Sequence, residues 1–404
     1  MKVVVAHNRY RSALPSGENV IVDQDIAALR AAGVTVLPFL RDSDSIAALP
    51  PTGKALLPLS PLYNGAAQRA LAGLLRRERP DVLHLHNPYP LLSPWVVRTA
   101  HAHGVPVVQT VHNYRQVCSP GLYFRDGEVC TLCRGTRLHL PGVRYACYRG
   151  SRAQSAVMAA ALTLHRPTWR SVDRYLALTT GIAAHLRDYG IPEDRILVKP
   201  NSIPDPGPPP PPGDGFLFLG RFAPEKGLAP LLDAWCRHPD GSLGPLRLAG
   251  DGDQRPLAEE AAARRADVTY LGPLDRAGVR AALAASAAVL VVPTWHDVLP
   301  TVVIEALAAG RPVLGTAMGG VPYLVGVGAA VAPGAPGPVG ALTAGEAGWV
   351  VPPTVDDLAA ALPAVRAEAG RLGAAARARY QRTFHPEVVT AQLLAAYRGV
   401  ARSR

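Results

Sequence analysis

The sequence predicts an α/β protein of two Rossmann-like domains facing each other across a cleft. Three observations carry that expectation. Short apolar runs of strand length alternate with helical patterns in each half of the chain. Between the halves lies an unbroken run from Pro208 to Pro212, which cannot donate to a sheet ladder and favours polyproline II, so a semi-rigid spacer separates two bodies. The run 291–320, VVPTWHDVLPTVVIEALAAGRPVLGTAMGG, reads strand, loop, helix, strand, which is the crossover unit of a parallel sheet. In such sheets ligands sit outside the carboxyl ends of the strands, and between paired domains they sit in the cleft.

In chain order, strands are expected at 3–6, 35–39, 82–86, 106–111 and 174–178, with helices at 20–32, 65–77, 95–103 and 181–189. This first domain, residues 1–200, holds a cysteine-rich insertion at 113–150, and the linker follows at 201–215. The alternation restarts in a second domain, 216–384, with strands at 216–220, 246–249, 268–271 and 289–292 and helices at 228–236, 256–265 and 276–285. The crossover helix begins near Thr301 and stops at Gly310, and 312–314 supplies the next strand. Residues 325–344, rich in Gly, Ala and Pro, are expected as a mobile loop. A final helix at 386–402 lies within the 385–404 tail.

With 404 residues, 48% of them apolar, the chain is long enough for two cores. It has no apolar run long enough to cross a bilayer, and its N-terminus is a short strand that runs into polar residues. The expectation is therefore a cytoplasmic protein with neither signal peptide nor membrane span. A net charge of +11 favours anionic company: a nucleotide diphosphate, an anionic acceptor, or the inner face of a membrane touched peripherally. Dense Lys/Arg runs interleaved with aromatics are absent, so nucleic acid is not an expected partner.

The crossover loop carries Asp297, and Glu305 follows after seven intervening residues. A carboxylate beside a helix N-terminus accepts hydrogen bonds from sugar or ribose hydroxyls, while the helix's free N–H groups face a phosphate. That pair suits a sugar nucleotide; the plainer reading is that Glu305 only supports its helix. Asp297 and Glu305 at this spacing, then Ala306-Leu307-Ala308-x-Gly310-x-Pro312-Val313 and Gly319-Gly320-Val321-Pro322, closely resemble the donor-binding segment of retaining GT-B glycosyltransferases, glycosyltransferase family 4. The resemblance implies that Asp297 holds donor-sugar hydroxyls, Glu305 holds the ribose, and Val298, Leu299, Pro300 and Thr301 line the donor site. The first acidic residue is usually Glu in that family; the shorter Asp297 leaves the donor sugar open.

A second stretch, Phe218-Leu219-Gly220-Arg221-Phe222-Ala223-Pro224-Glu225-Lys226-Gly227, delivers a strand, a glycine turn and two cations ahead of a helix. Arg221 can fork two phosphate oxygens and Lys226 adds a point charge, so together with a helix N-terminus they are expected to neutralise a leaving diphosphate without a metal, the role that the resemblance implies for the matching pair. Gly250, in Ala249-Gly250-Asp251-Gly252, resembles the family's loop near the base. In the first domain, Gly17 in Ser16-Gly17-Glu18-Asn19 matches a loop where small residues let donor phosphate and acceptor approach. His112 lies just past a strand's carboxyl end and matches the family histidine near the donor sugar. Glu18, Asn19, His86, Arg144 and Arg149 are the candidate acceptor contacts, and His84 reads as structural.

Cys118, Cys130, Cys133 and Cys147 have the ligand count and partial spacing of a structural zinc site; the alternatives are reduced thiols or a redox pair. Four thiolates leave no open position, so such a metal would organise a flap and do no chemistry. Cys236 is expected buried in a helix. The basic, apolar helix around 155–164 either packs on the first domain or lies on a membrane. The whole reads as a retaining glycosyltransferase that moves a sugar from a nucleotide-diphosphate donor, commonly UDP in the family, to a hydroxyl of a lipid-linked or small-molecule acceptor, with no catalytic cofactor. The rivals are a GT-B epimerase or phosphorylase, and a non-catalytic partner subunit of the same fold.

Overall fold

The computed structural model describes residues 1–13, 17–328 and 342–401. The first sheet is entirely parallel, built from β1 (Lys2–Arg9), β2 (Thr35–Asp42), β3 (Val82–Leu85), β4 (Val107–Val111), β7 (Arg174–Ala177) and β8 (Ile196–Val198) in the order β2-β1-β3-β4-β7-β8. A two-stranded hairpin, β5 (Phe124–Arg125) and β6 (Glu128–Val129), lies within the insertion. The second sheet runs β11-β10-β9-β12-β13-β15-β14, from β9 (Phe216–Leu219), β10 (Leu246–Ala249), β11 (Val268–Gly272), β12 (Ala288–Val291), β13 (Val313–Thr316), β14 (Thr343–Ala344) and β15 (Gly348–Val351). Only β14 runs antiparallel in it. The strand orders reverse at β1 and at β9, which opens a crevice at the carboxyl ends of the strands beside each.

The central strands are buried on both faces, as parallel strands covered by helices must be: β3, β4, β12 and β13 are buried at every position. The helices that cover them include α1 (Gly17–Ala31), α9 (Leu228–Trp235), α11 (Arg276–Ala284) and α12 (Thr301–Ala308). Residues 43–48 form a 3₁₀ turn and Pro51–Leu56 a short helix, neither anticipated by periodicity. The same holds for the long helix Val355–Arg379. The expected loop at 325–344 is bounded by the helix Val321–Val325 and by β14, and its 329–341 stretch lies outside the described residues. The last helix spans Pro386–Arg398 and buries Leu393, Ala396 and Tyr397 against Val3, Val5 and Val22 of the first sheet and α1.

The proline run does not hang between the bodies. Arg311, 1% exposed, has no carboxylate partner among the described residues and donates instead to the carbonyls of Pro210, Pro211, Leu283 and Ala284 at 3.2, 2.7, 2.9 and 3.1 Å. Five donors in a fixed fork suit this multiple carbonyl clamp in a way that a lysine ammonium cannot. Upstream, Asp205 accepts twice from Arg377 at 2.8 Å, and Tyr380 donates to the Ile203 carbonyl at 3.0 Å.

Candidate functional site

The cleft opens over the carboxyl ends of β9 and β12. A cavity of about 560 Å³ there is lined by Tyr10 and Gly17 from the first half and by Gly220, Arg221, Lys226, Asp297, Pro300 and Thr301 from the second. Gly250 is not among the lining residues; a Cβ on it would meet the Gly220 carbonyl at 1.8 Å, so it lets the Gly220 turn close. Val298 and Leu299 are buried, anchoring the loop from below while Pro300 and Thr301 face the cavity. No side chain caps α12; Val303 N donates to the Pro300 carbonyl at 3.0 Å, and the Thr301 and Val302 N–H groups are left as the seat for an anion.

Within this cavity Lys226 Nζ lies 2.5 Å from Asp297 Oδ2, and its ammonium stands 5.4 Å from the Trp295 ring centroid. The pair is half-sequestered, with the side chains 27% and 13% exposed. Sequence pattern assigns the two residues to different parts of a donor; the structure joins them. Arg221 differs: its side chain is 66% exposed and, among the described residues, pairs with Glu225 at 2.7 Å. Such an exposed pair holds weakly, so the guanidinium can swing to an anion.

The loop around Asp297 is fixed by backbone contacts. Gly320 N donates to the Asp297 carbonyl at 2.7 Å, and Gly319 N approaches His296 Nδ1 at 3.3 Å. Gly319 has φ +53°, and a Cβ on it would fall 2.1 Å from the Asp297 carbonyl oxygen. Gly319→Ala therefore displaces the loop. We expect affinity for the sugar nucleotide that the sequence pattern suits to fall roughly tenfold or more, because both backbone strain and the lost Asp297 position weigh on the bound state. Calorimetric titration with the nucleotide, alongside an unchanged far-UV spectrum, reads this; unaltered affinity would show the loop tolerates the shift.

Glu305 lies one turn along α12 from Thr301 and lines a second cavity of about 640 Å³, together with Gln24 of α1, Leu274 and Arg276 of the opposite wall, and linker prolines. Burial raises its carboxyl above the ordinary range.

His112 follows β4 and His86 follows β3, so parallel neighbours deliver both rings to one edge. His86 Nδ1 and His112 Nε2 are 2.9 Å apart with the rings stacked. His84 contacts Tyr397 Oη at 2.7 Å and Thr110 Oγ1 at 2.8 Å, a structural role. His7 meets Asn19 at 3.0 Å. Burial lowers all four imidazoles, His7 to about 4 and His112 to about 3, with Lys199 nearby acting the same way on His84, His86 and His112; at neutral pH the cluster carries no charge. His86 and His112 also line a small cavity with Glu18 and Arg115. Burial pushes the Glu18 carboxyl up to about 7, while Arg115 and the Tyr10 hydroxyl, 3.2 Å away, pull the other way. Tyr10 and Arg115 were invisible as site residues in the pattern, although Arg115 stands three residues past His112.

The acceptor candidates divide. Glu18 and His86 reach this edge and Asn19 supports His7, whereas Arg144 and Arg149 are exposed on the insertion and line neither cleft cavity. Helix Arg152–Leu164 buries Met158 and Leu162 in the first core, so one face packs. The four insertion cysteines are free thiols that together line one cavity of about 20 Å³, and burial pushes the Cys133 thiol up to about 11. Among the described residues no group of three or more His, Cys, Asp or Glu is placed to hold a metal ion. Cys236 is exposed at the end of α9, not buried, because that helix stops at Trp235. No described helix is long and apolar enough to cross a membrane.

Residues 16–202 match the glycosyl transferase 4-like domain, and residues 213–367 match glycosyl transferases group 1. Over 287 residues the chain is 31% identical to a 2-deoxystreptamine N-acetyl-D-glucosaminyltransferase of Streptomyces fradiae, covering 67% of this chain and 63% of that one. It is 25% identical over 249 residues to a phosphatidyl-myo-inositol mannosyltransferase of Mycobacterium leprae, covering 58% and 54%. The matched stretches thus span less than two thirds of these relatives. Among solved structures, Anabaena Alr3699/HepE in complex with UDP shares the fold, with a TM-score of 0.64 at 16% identity over 99% of this chain and 100% of that one. Two domain matches that together take in most of the chain, on a pair of doubly wound sheets, lead to one conclusion: the chain belongs to the GT-B glycosyltransferases of the family 4 and group 1 type.

Proposed function

We propose that this protein is a retaining glycosyltransferase that moves a sugar from a UDP-sugar to an acceptor hydroxyl. The observation that carries the reading is the convergence of Lys226, Arg221 and the uncapped N-terminus of α12 on the cavity that also holds Asp297, with Glu305 in the adjoining cavity. The diphosphate lies against the cations and the helix, and the nucleoside lies beside Glu305. The bond from the anomeric carbon to the phosphate oxygen breaks while the acceptor oxygen bonds to the same face of that carbon. The acceptor's proton passes to the departing phosphate oxygen, whose charge Arg221 and Lys226 hold. Neutral His112 orients the sugar by hydrogen bonding, and Asp297 accepts from its hydroxyls once the donor's phosphate draws Lys226 away. The first domain, 1–200, binds the acceptor, and the second, 216–384, binds the donor.

UDP is preferred because it is the ligand bound by the Anabaena structural neighbour. The relatives named for 2-deoxystreptamine and phosphatidyl-myo-inositol favour a polyhydroxylated ring as acceptor, free or on a lipid. The reading places the protein in the cytoplasm, with the arginines of the insertion available to an anionic membrane face. The four thiols support a structural zinc if their sulfurs draw together around it. A thermal-shift series with UDP, GDP, dTDP and ADP, with and without chelator, tests the proposal. UDP at a hundred times its dissociation constant adds about 2.7 kcal/mol. No shift with any nucleotide at millimolar concentration would overturn the donor site, and a melting point indifferent to chelator would remove the zinc. Proton NMR of the product reads retention at the anomeric carbon.

A further inference from the structure

The small cavity beside His112 has a property that the main cleft lacks. Its volume is about 20 Å³, enough for one hydroxyl or one water, and a ring of polar atoms without protein partners surrounds it. Glu18 Oε1, Gln109 Oε1 and Gln116 Oε1 are acceptors with no donor; Arg115 Nε is a donor with no acceptor; Tyr89 Oη and His86 Nε2 can serve as either. Tyr89, Gln109, Gln116 and His86 are 4%, 4%, 5% and 2% exposed. A few unpartnered buried polar atoms per hundred residues are ordinary in a fold, but six gathered on one small cavity are a cost that a core sheds unless something enters to bond them.

The ring also indicates what enters. Glu18 and the Arg115 guanidinium line the same space, an unpartnered acceptor beside an unpartnered donor. An ammonium would satisfy the three oxygens but would leave Arg115 Nε bare and stand beside a guanidinium. A carboxylate or phosphate would face Glu18. A hydroxyl both donates and accepts, so it pairs with Glu18 and Arg115 at once, which neither ion does. Resting on the glycosyltransferase reading above, we propose that this cavity is the acceptor's specificity pocket, where Glu18 and Arg115 grip a non-reacting hydroxyl of a neutral polyol ring and so present the neighbouring hydroxyl toward the donor beside His112.

The assignment is tested by calorimetric or ligand-observed NMR titration of the full chain, saturated with UDP, with myo-inositol, 2-deoxystreptamine and cyclohexanol as probes. The expected order is myo-inositol above 2-deoxystreptamine, with cyclohexanol not binding. Gln116→Leu and Glu18→Gln should each weaken myo-inositol by roughly tenfold, since each removes one unpartnered acceptor or its charge. UDP affinity should be unchanged in both variants, which also reports that they fold. If UDP binds but wild type takes no polyol, or if both variants match wild type, the ring is satisfied by ordered water and the pocket assignment fails alone. Preference for 2-deoxystreptamine would overturn the neutral-hydroxyl argument. If UDP itself does not bind, the glycosyltransferase reading fails with it.

Discussion

Lys226→Met is expected to lower kcat/KM by roughly 10²–10³-fold, the usual cost of deleting one fixed charge that meets an oxyanion in a water-poor site. Lys226 is held at the cavity by Asp297 and by the Trp295 face, so its charge is aimed before the donor arrives. The substitution also leaves Asp297 without a cation, and an anionic donor then meets a bare carboxylate. UDP affinity should therefore fall as well as turnover. The double variant with Asp297→Asn separates the two effects. If the anion's repulsion dominates, nucleotide affinity recovers in the double variant while turnover stays low. Arg221→Met, at an exposed position paired with Glu225, should leave the melting temperature unchanged and act on turnover alone. Equal kcat/KM in wild type and Lys226→Met would remove the lysine from the mechanism.

The second large effect is loss of stability in acid. His7, His84, His86 and His112 are neutral in the fold because burial opposes their charging. The unfolded chain binds protons at its histidines near the ordinary value of about 6.5. Below that pH, unfolding takes up protons that the folded cluster refuses, so stability falls as pH falls and continues to fall until the folded imidazoles themselves titrate. For His7, whose folded value is about 4, the loss is roughly 3 kcal/mol once both states are protonated. Three further rings act in the same direction, while the raised Glu18 and Glu305 carboxyls, which take up protons earlier in the fold than in the unfolded chain, offset part of the loss; the net melting temperature should drop between pH 6.5 and 4.5. His7→Gln should flatten that slope, since glutamine keeps a contact to Asn19 without a proton to gain. Parallel melting curves for variant and wild type would show that His7 charges without cost.

Much of this was legible in the sequence because it lay in local chemistry. Strand and helix alternation, the Asp297 and Glu305 spacing and the glycine turn at Gly220 are short-range patterns, and the sheets, α12 and the cleft cavity follow them. The helix Val355–Arg379 was not legible: it is rich in Ala and Arg, so its buried and exposed faces contrast too little to mark a period, and it tolerates Pro363. The burial of Cys236 failed for a related reason, since where the helix ends is set by tertiary packing. What no local pattern shows is pairing across the fold. Lys226 meets Asp297 from 71 residues away, and His86 meets His112 because β3 and β4 are neighbours in a parallel sheet. Arg115 and Tyr10 gain their places only when those elements are assembled.

The carbonyl clamp at Arg311 decides where the molecule can flex. Because residues 210 and 211 are lashed to the second sheet's helices, and Ile203 and Asp205 to Tyr380 and Arg377, the prolines travel with that half as a rigid strut. The freedom to rotate is left to two short crossings, just before Ile203 and just before the last helix at Pro386. Two parallel strands of chain resist twist and shear far better than one, so the halves should rock about a single axis through those crossings, opening and shutting the mouth of the cleft as a door does on a pair of pins.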